Sequence, residues 1–64
     1  MPVVRIDLWE GRNMEMRRKL IQSVSRAVSE SLGIPDERIH VILNEISKDN
    51  WGMNGEQASR VDLK

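Results

Sequence analysis

Two stretches with the period of a β-strand, separated by one long amphipathic helix pattern, constrain this chain more than any other feature. Val4, Ile6 and Leu8 alternate with Val3, Arg5, Asp7 and Trp9, as a strand requires. Glu10-Gly11-Arg12 breaks the alternation, Asn13 suits a helix N-cap, and Glu15 places favourable charge in the first turn. Met16, Leu20, Val24, Ala27, Val28, Ser31 and Leu32 then recur at spacings of three and four, with Ile21 widening the stripe. Arg17, Arg18, Gln22, Arg26, Ser29 and Glu30 lie largely outside it and read as the solvated face. Gly33 fits the position after the last turn and Pro35 prevents continuation, so the spacing predicts a helix from about Met14 to Leu32. Arg38 to Ile46 reads as a second strand, and its continuous Val41-Ile42-Leu43 centre is expected of a strand covered on both faces. Strand, helix and strand with short connections make a βαβ unit with a right-handed crossover.

After Lys48 the chain turns polar. Asn54-Gly55 between Met53 and Glu56 is a strong signal for a two-residue hairpin. In the tail Ala58 to Lys64, Val61 and Leu63 stand at strand spacing, which points to a short edge strand or an arm onto a neighbour. Residues 1–64 therefore form a single α+β domain, a βαβ unit with a C-terminal β-hairpin.

Such a unit leaves both sheet edges open and one sheet face bare, and both features invite pairing between chains. A chain of 64 residues buries too little surface to be secure alone. It has no cysteine, so neither disulfides nor thiolate metal sites supply the difference. A single histidine, His40, builds no metal site by itself. A homo-oligomer that completes the sheet by dimerisation is the expectation.

Ten basic and ten acidic side chains cancel to a formal charge of zero. That balance offers no steering toward nucleic acid or an anionic membrane surface. No apolar stretch approaches a membrane span and no signal-peptide pattern precedes the first strand, so a cytoplasmic location is expected.

Conventional catalytic sets are missing. There is no cysteine nucleophile, no Gly-rich phosphate loop, no serine–histidine–aspartate set around the one histidine, and no paired carboxylates. Ser23, Ser25, Ser29 and Ser31 fall in the helix. The unconventional candidate is the terminus. A Met followed by Pro is normally processed, and Pro2 would then present a basic secondary amine. Burial or a nearby cation depresses an amine's pKa into the range where it works as a base at neutral pH. Arg12, in the turn after the first strand, is a fixed cation able to hold a carboxylate with two parallel hydrogen bonds. Taken singly, a Met-Pro start and a loop arginine are both commonplace.

Pro2 opening into a strand, Glu10-Gly11-Arg12 after it, the helix segment Leu20-Ile21…Val24-Ser25…Ala27…Ser31-Leu32, and Trp51-Gly52…Gly55-Glu56…Ala58-Ser59 occur together without gaps. In that joint spacing, over essentially its whole length, the chain resembles the 4-oxalocrotonate tautomerase family. The resemblance implies subunits that join strands into a four-stranded sheet, with three dimers forming a hexamer. It implies cofactor-independent enol–keto tautomerisation of small 2-oxo acids, with Pro2 shuttling the proton and Arg12 binding a carboxylate. Trp51 takes the place of the hydrophobic residue, commonly Phe, that walls the site and keeps it dry.

One position departs from the family pattern. The second family arginine, which grips the 1-carboxylate and 2-oxo group, aligns with His40. Histidine is shorter and only partly charged near neutrality, so the oxo-acid end is held less firmly and the depression of the Pro2 pKa is relaxed. Arg38, two residues away on the same face of the expected strand, is the candidate substitute; a solvated arginine at a strand start is its simpler reading. Trp9 ends the first strand near the expected site and fits interface packing equally well. Loss of the two-arginine pattern disfavours a dicarboxylate and favours a monoacid such as an aryl enolpyruvate. Two alternatives stand beside the tautomerase. One is a sibling hydratase-type activity, for which no carboxylate is obviously placed. The other is a non-catalytic oligomeric scaffold or small-ligand binder, the expected outcome if Met1 is retained and the Pro2 nitrogen stays an amide.

Overall fold

The computed structural model describes residues 1–61. Strand β1 (Val3–Trp9) and strand β2 (His40–Ile46) are joined by helix α1 (Met14–Leu32), and short turns of 3₁₀ helix follow at Asp36–Arg38, Lys48–Asn50 and Ala58–Arg60. The two strands pair in parallel, in a register running from Val3 opposite His40 to Trp9 opposite Ile46. No helix among the described residues is long and apolar enough to cross a membrane.

The ends of α1 follow from their capping residues. The Asn13 side chain accepts a hydrogen bond from the Met16 N–H at 2.8 Å, satisfying one of the donors that a first turn leaves free. At the other end Gly33 is left-handed (φ 67°, ψ 36°). The N–H groups of Gly33 and Ile34 both reach the Ser29 carbonyl, at 2.8 and 3.3 Å. The Ser29 hydroxyl in turn donates to the Ile34 carbonyl at 2.6 Å.

Val4, Ile6 and Leu8 on β1 and Val41, Leu43 and Glu45 on β2 are half-buried on the face that carries α1. The opposite face, with Val3, Arg5, Asp7, His40, Ile42 and Asn44, is exposed. Ile42 is 40% exposed, so within one chain β2 is covered on one face rather than both. Among the described apolar residues only Ile39 and Ala58 are buried, whereas Met14 and Leu32 are 70% and 61% exposed. The Cα radius of gyration is 14.7 Å, against about 11 Å for a compact chain of this length. Over the described residues the chain is elongated and lacks a closed core.

Three expectations change. β2 begins at His40, not Arg38: after Pro35, the Arg38 N–H bonds the Pro35 carbonyl and the Ile39 N–H bonds the Asp36 carbonyl, so 36–38 close a 3₁₀ turn. Arg38 therefore does not share a strand face with His40. In the tail, Ala58–Arg60 forms a 3₁₀ turn instead of an edge strand, and Val61 follows it outside any strand; Leu63 lies outside the described residues. The stripe on α1 also rotates. Arg17 and Ser29 are half-buried with Leu20, Val24 and Val28, while Met16, Ile21, Ala27 and Leu32 face outward.

The C-terminal hairpin is as expected. Gly52–Met53 (β3) and Glu56–Gln57 (β4) pair antiparallel. Asn54 and Gly55 both take positive φ, 54° and 81°, the signature of a type I′ turn. The Ala58 N–H closes the ring beneath it onto the Trp51 carbonyl at 2.7 Å.

Candidate active site

The candidate residues fall into two groups at opposite ends of the sheet. At one end, Pro2 immediately precedes β1, and the His40 N–H donates to its carbonyl at 3.0 Å. Val3 and His40 are register partners, so the backbone of His40 is carried beside Pro2 by the sheet itself. Met1 is 82% exposed. Arg38, in the exposed turn just before Ile39, stands outside the sheet.

At the other end are Trp9, Arg12, Lys48 and Trp51. Gly11 takes φ 123°, a conformation that a side chain would strain, and this turns the chain sharply between β1 and α1. The Arg12 guanidinium folds back and donates from Nη1 to the Trp9 carbonyl at 3.1 Å. The carboxylate ion pairs among the described residues are Arg17–Glu45 and Arg18–Glu15, so Arg12 is unmatched by an acid there. Trp9 and Trp51 meet edge to face with centroids 6.0 Å apart. Lys48 Nζ lies 4.6 Å from the centroid of the Trp9 ring. The buried Trp9 indole N–H has no hydrogen-bond partner among the described residues.

β1 contains seven residues, which separates the two groups by about 23 Å at ~3.3 Å per residue. One chain thus brings Pro2 to His40, and Arg12 to Trp9 and near Trp51, but it does not bring Pro2 to Arg12. Among the described residues no cluster of three metal-ligating side chains occurs.

Arg17, which the helix periodicity places on the solvated face, and Glu45, which no sequence pattern singles out as a site residue, are structurally central. Arg17 Nη1 donates to Glu45 Oε1 at 2.8 Å and to the Arg12 carbonyl at 3.1 Å. Their signal was present: Glu45 interrupts the inward positions Val41 and Leu43 with a charge, and Arg17 stands three residues before Leu20 on the stripe.

The tautomerase family, described as tautomerase enzyme, matches residues 2–60. A 2-hydroxymuconate tautomerase from Pseudomonas putida is 42% identical over 62 residues, covering 97% of this chain and 98% of its own. A probable tautomerase from Lactiplantibacillus plantarum is 46% identical over 55 residues, 86% of each chain. Among solved structures, a 4-oxalocrotonate tautomerase isozyme from Methylibium petroleiphilum superposes with a TM-score of 0.86 at 38% identity, covering 91% of this chain and 94% of that one. The same strand, helix, strand and hairpin order thus recurs in enzymes of this class, and the chain belongs to the tautomerase family of isomerases.

Proposed function

We propose that the protein interconverts enol and keto forms of small 2-oxo acids, with the amine of Pro2 carrying the proton. The observation that carries this reading is the placement of Pro2: directly before β1, hydrogen-bonded through its carbonyl to His40, and next to an exposed Met1. Once Met1 is removed, the ring nitrogen takes the enol O–H proton as the O–H bond breaks and the C=O bond forms. The resulting ammonium returns that proton to carbon, so the reaction is balanced within one molecule of substrate. Neither step uses a cofactor. The names of the relatives, 2-hydroxymuconate and 4-oxalocrotonate tautomerases, support the same chemistry.

The 23 Å gap gives the assembly a role in this chemistry. β1 is an open edge of a two-stranded sheet. Antiparallel pairing of two β1 edges about a two-fold axis sets the start of one strand beside the end of the other. Pro2 and His40 of one copy then face Arg12, Trp9 and Trp51 of its neighbour. Pairing through β2 would keep the two groups apart, so a shared site selects β1. The exposed Met14, Leu32 and Ile42 supply surface for further packing, in keeping with a trimer of dimers.

In the assembled site Arg12 holds the carboxylate remote from C2, His40 polarises the oxygen at C2, and Trp51 excludes water, which favours the uncharged amine. Arg38 contributes only by reaching in from the turn before β2. Intact mass measurement combined with a tautomerase assay tests the reading. The native protein should lack Met1 and should ketonise an enol acid. Retained Met1, or no turnover of any enol acid by processed protein, would leave an oligomeric scaffold as the better description.

A further inference from the structure

We infer that Arg17 and Glu45 are positioning residues for Arg12, and through it set the preference between dicarboxylate and monocarboxylate substrates. This rests on the reading of Arg12 as the carboxylate-binding cation. Arg17 Nη1 makes two hydrogen bonds at once, to Glu45 Oε1 at 2.8 Å and to the Arg12 carbonyl at 3.1 Å. Both side chains are partly withdrawn from water, at 34% and 26% exposed.

The chemistry of each partner explains the arrangement. Glu45 stands opposite Leu8 on the helix-covered face of the sheet. A carboxylate there needs a cation and hydrogen bonds. Arg17 lies near the start of α1, where the helix dipole disfavours positive charge, so its own helix gives it no reason to be cationic. Side chains on a helix lean toward its N-terminus. The Arg17 guanidinium therefore reaches back over the first turn to the Arg12–Asn13 peptide. One guanidinium nitrogen ties the loop bearing Arg12 to the C-terminal end of β2.

That loop otherwise hangs between two anchors. The Glu10 N–H is bonded to the Ile46 carbonyl at 3.1 Å, and Asn13 caps the helix. Between them Gly11, at φ 123°, provides no side chain to pack. Beside the Arg12 Nη1 bond to the Trp9 carbonyl, the Arg12 carbonyl bond is the backbone restraint within this stretch, and it fixes the peptide from which the substrate-binding guanidinium projects. Small displacements of a binding group cost up to about a hundredfold in rate, so a side chain remote from the reacting atoms can govern selectivity here.

The test uses the full-length, Met1-free assembly with two substrates: 2-hydroxymuconate, with a carboxylate at each end, and an aryl enolpyruvate, with one. Arg17→Met should raise KM for the diacid about tenfold, leave its kcat within about twofold, and leave both constants for the monoacid unchanged. Glu45→Gln keeps an acceptor for Arg17 and should shift the same diacid KM by a smaller factor, which covers the case of an unstable Arg17→Met. Equal losses on both substrates would mean that the pair only stabilises the fold, and no change on either would mean that it positions nothing; both results overturn the inference. Arg12→Ala separates this from the reading beneath it. If Arg12→Ala leaves the diacid KM unchanged, Arg12 does not bind the carboxylate and the functional assignment fails first. If Arg12→Ala raises it but Arg17→Met does not, only the positioning role is lost.

Discussion

The backbone N–H of His40 donates to the carbonyl of Pro2 at 3.0 Å, locking the start of β2 to the chain terminus. The residue that departs from the family pattern is thus held beside the proposed base. A substitution at His40 is therefore made one backbone hydrogen bond away from Pro2.

His40→Arg should restore a permanent cation at that point. Turnover of 2-hydroxymuconate should rise, and the acidic limb of the pH–rate profile should move to lower pH, because a cation beside an amine favours its uncharged form. A profile and a turnover number that match those of the parent would place His40 outside the site.

Pro2→Ala and Arg12→Ala subunits, each impaired alone toward a diacid at low concentration, should complement one another when mixed and reassociated. A site that takes its proline from one copy and its arginine from another is intact in about a quarter of cases on random mixing. Recovery of activity toward that level is expected. Mixtures no more active than the separate variants would contradict a shared site.

Trp51 packs edge to face on Trp9 at 6.0 Å and closes the Arg12 end of the sheet. Trp51→Phe keeps an aromatic wall and should change kcat by less than about threefold, whereas Trp51→Ala opens the site to water and should lower kcat by about tenfold or more. Steady-state kinetics on the two variants tests this, and equal rates in both would show that Trp51 serves packing alone.

Gly55→Ala should destabilise the hairpin by about 1 kcal/mol, since φ is 81° and a side chain there is strained. Thermal unfolding followed by the two tryptophans reads the loss. An unchanged midpoint would show that the type I′ turn is not retained in solution.

The legible parts of the fold are those set by local chemistry. Asn13 and Gly33 bracket α1 at the predicted residues because each satisfies the helix end itself. Asn54 and Gly55 specify their turn because few other pairs tolerate two positive φ values. Arg38 was misplaced because a β-like pattern through Ile39 says nothing of Pro35, whose carbonyl draws the next residues into a 3₁₀ turn. Arg17 was misread as solvated because a charge on a helix is usually so; its partner Glu45 lies 28 positions away, a pairing visible only once β2 is folded under α1. For the site, Pro2, Arg12, His40 and Trp51 could be named from spacing and family resemblance. The packing of Trp51 on Trp9 beside Arg12 could not, since it depends on how the chain after β2 folds back in three dimensions.

The central claim is that the Pro2 amine carries the proton. The most direct test is the rate of enol-to-keto conversion by Pro2→Ala relative to the parent, both shown by intact mass to lack Met1. A positioned acid–base group contributes about a hundredfold or more, so a loss of at least that size is expected with the assembly intact. Equal rates in the two proteins would contradict it.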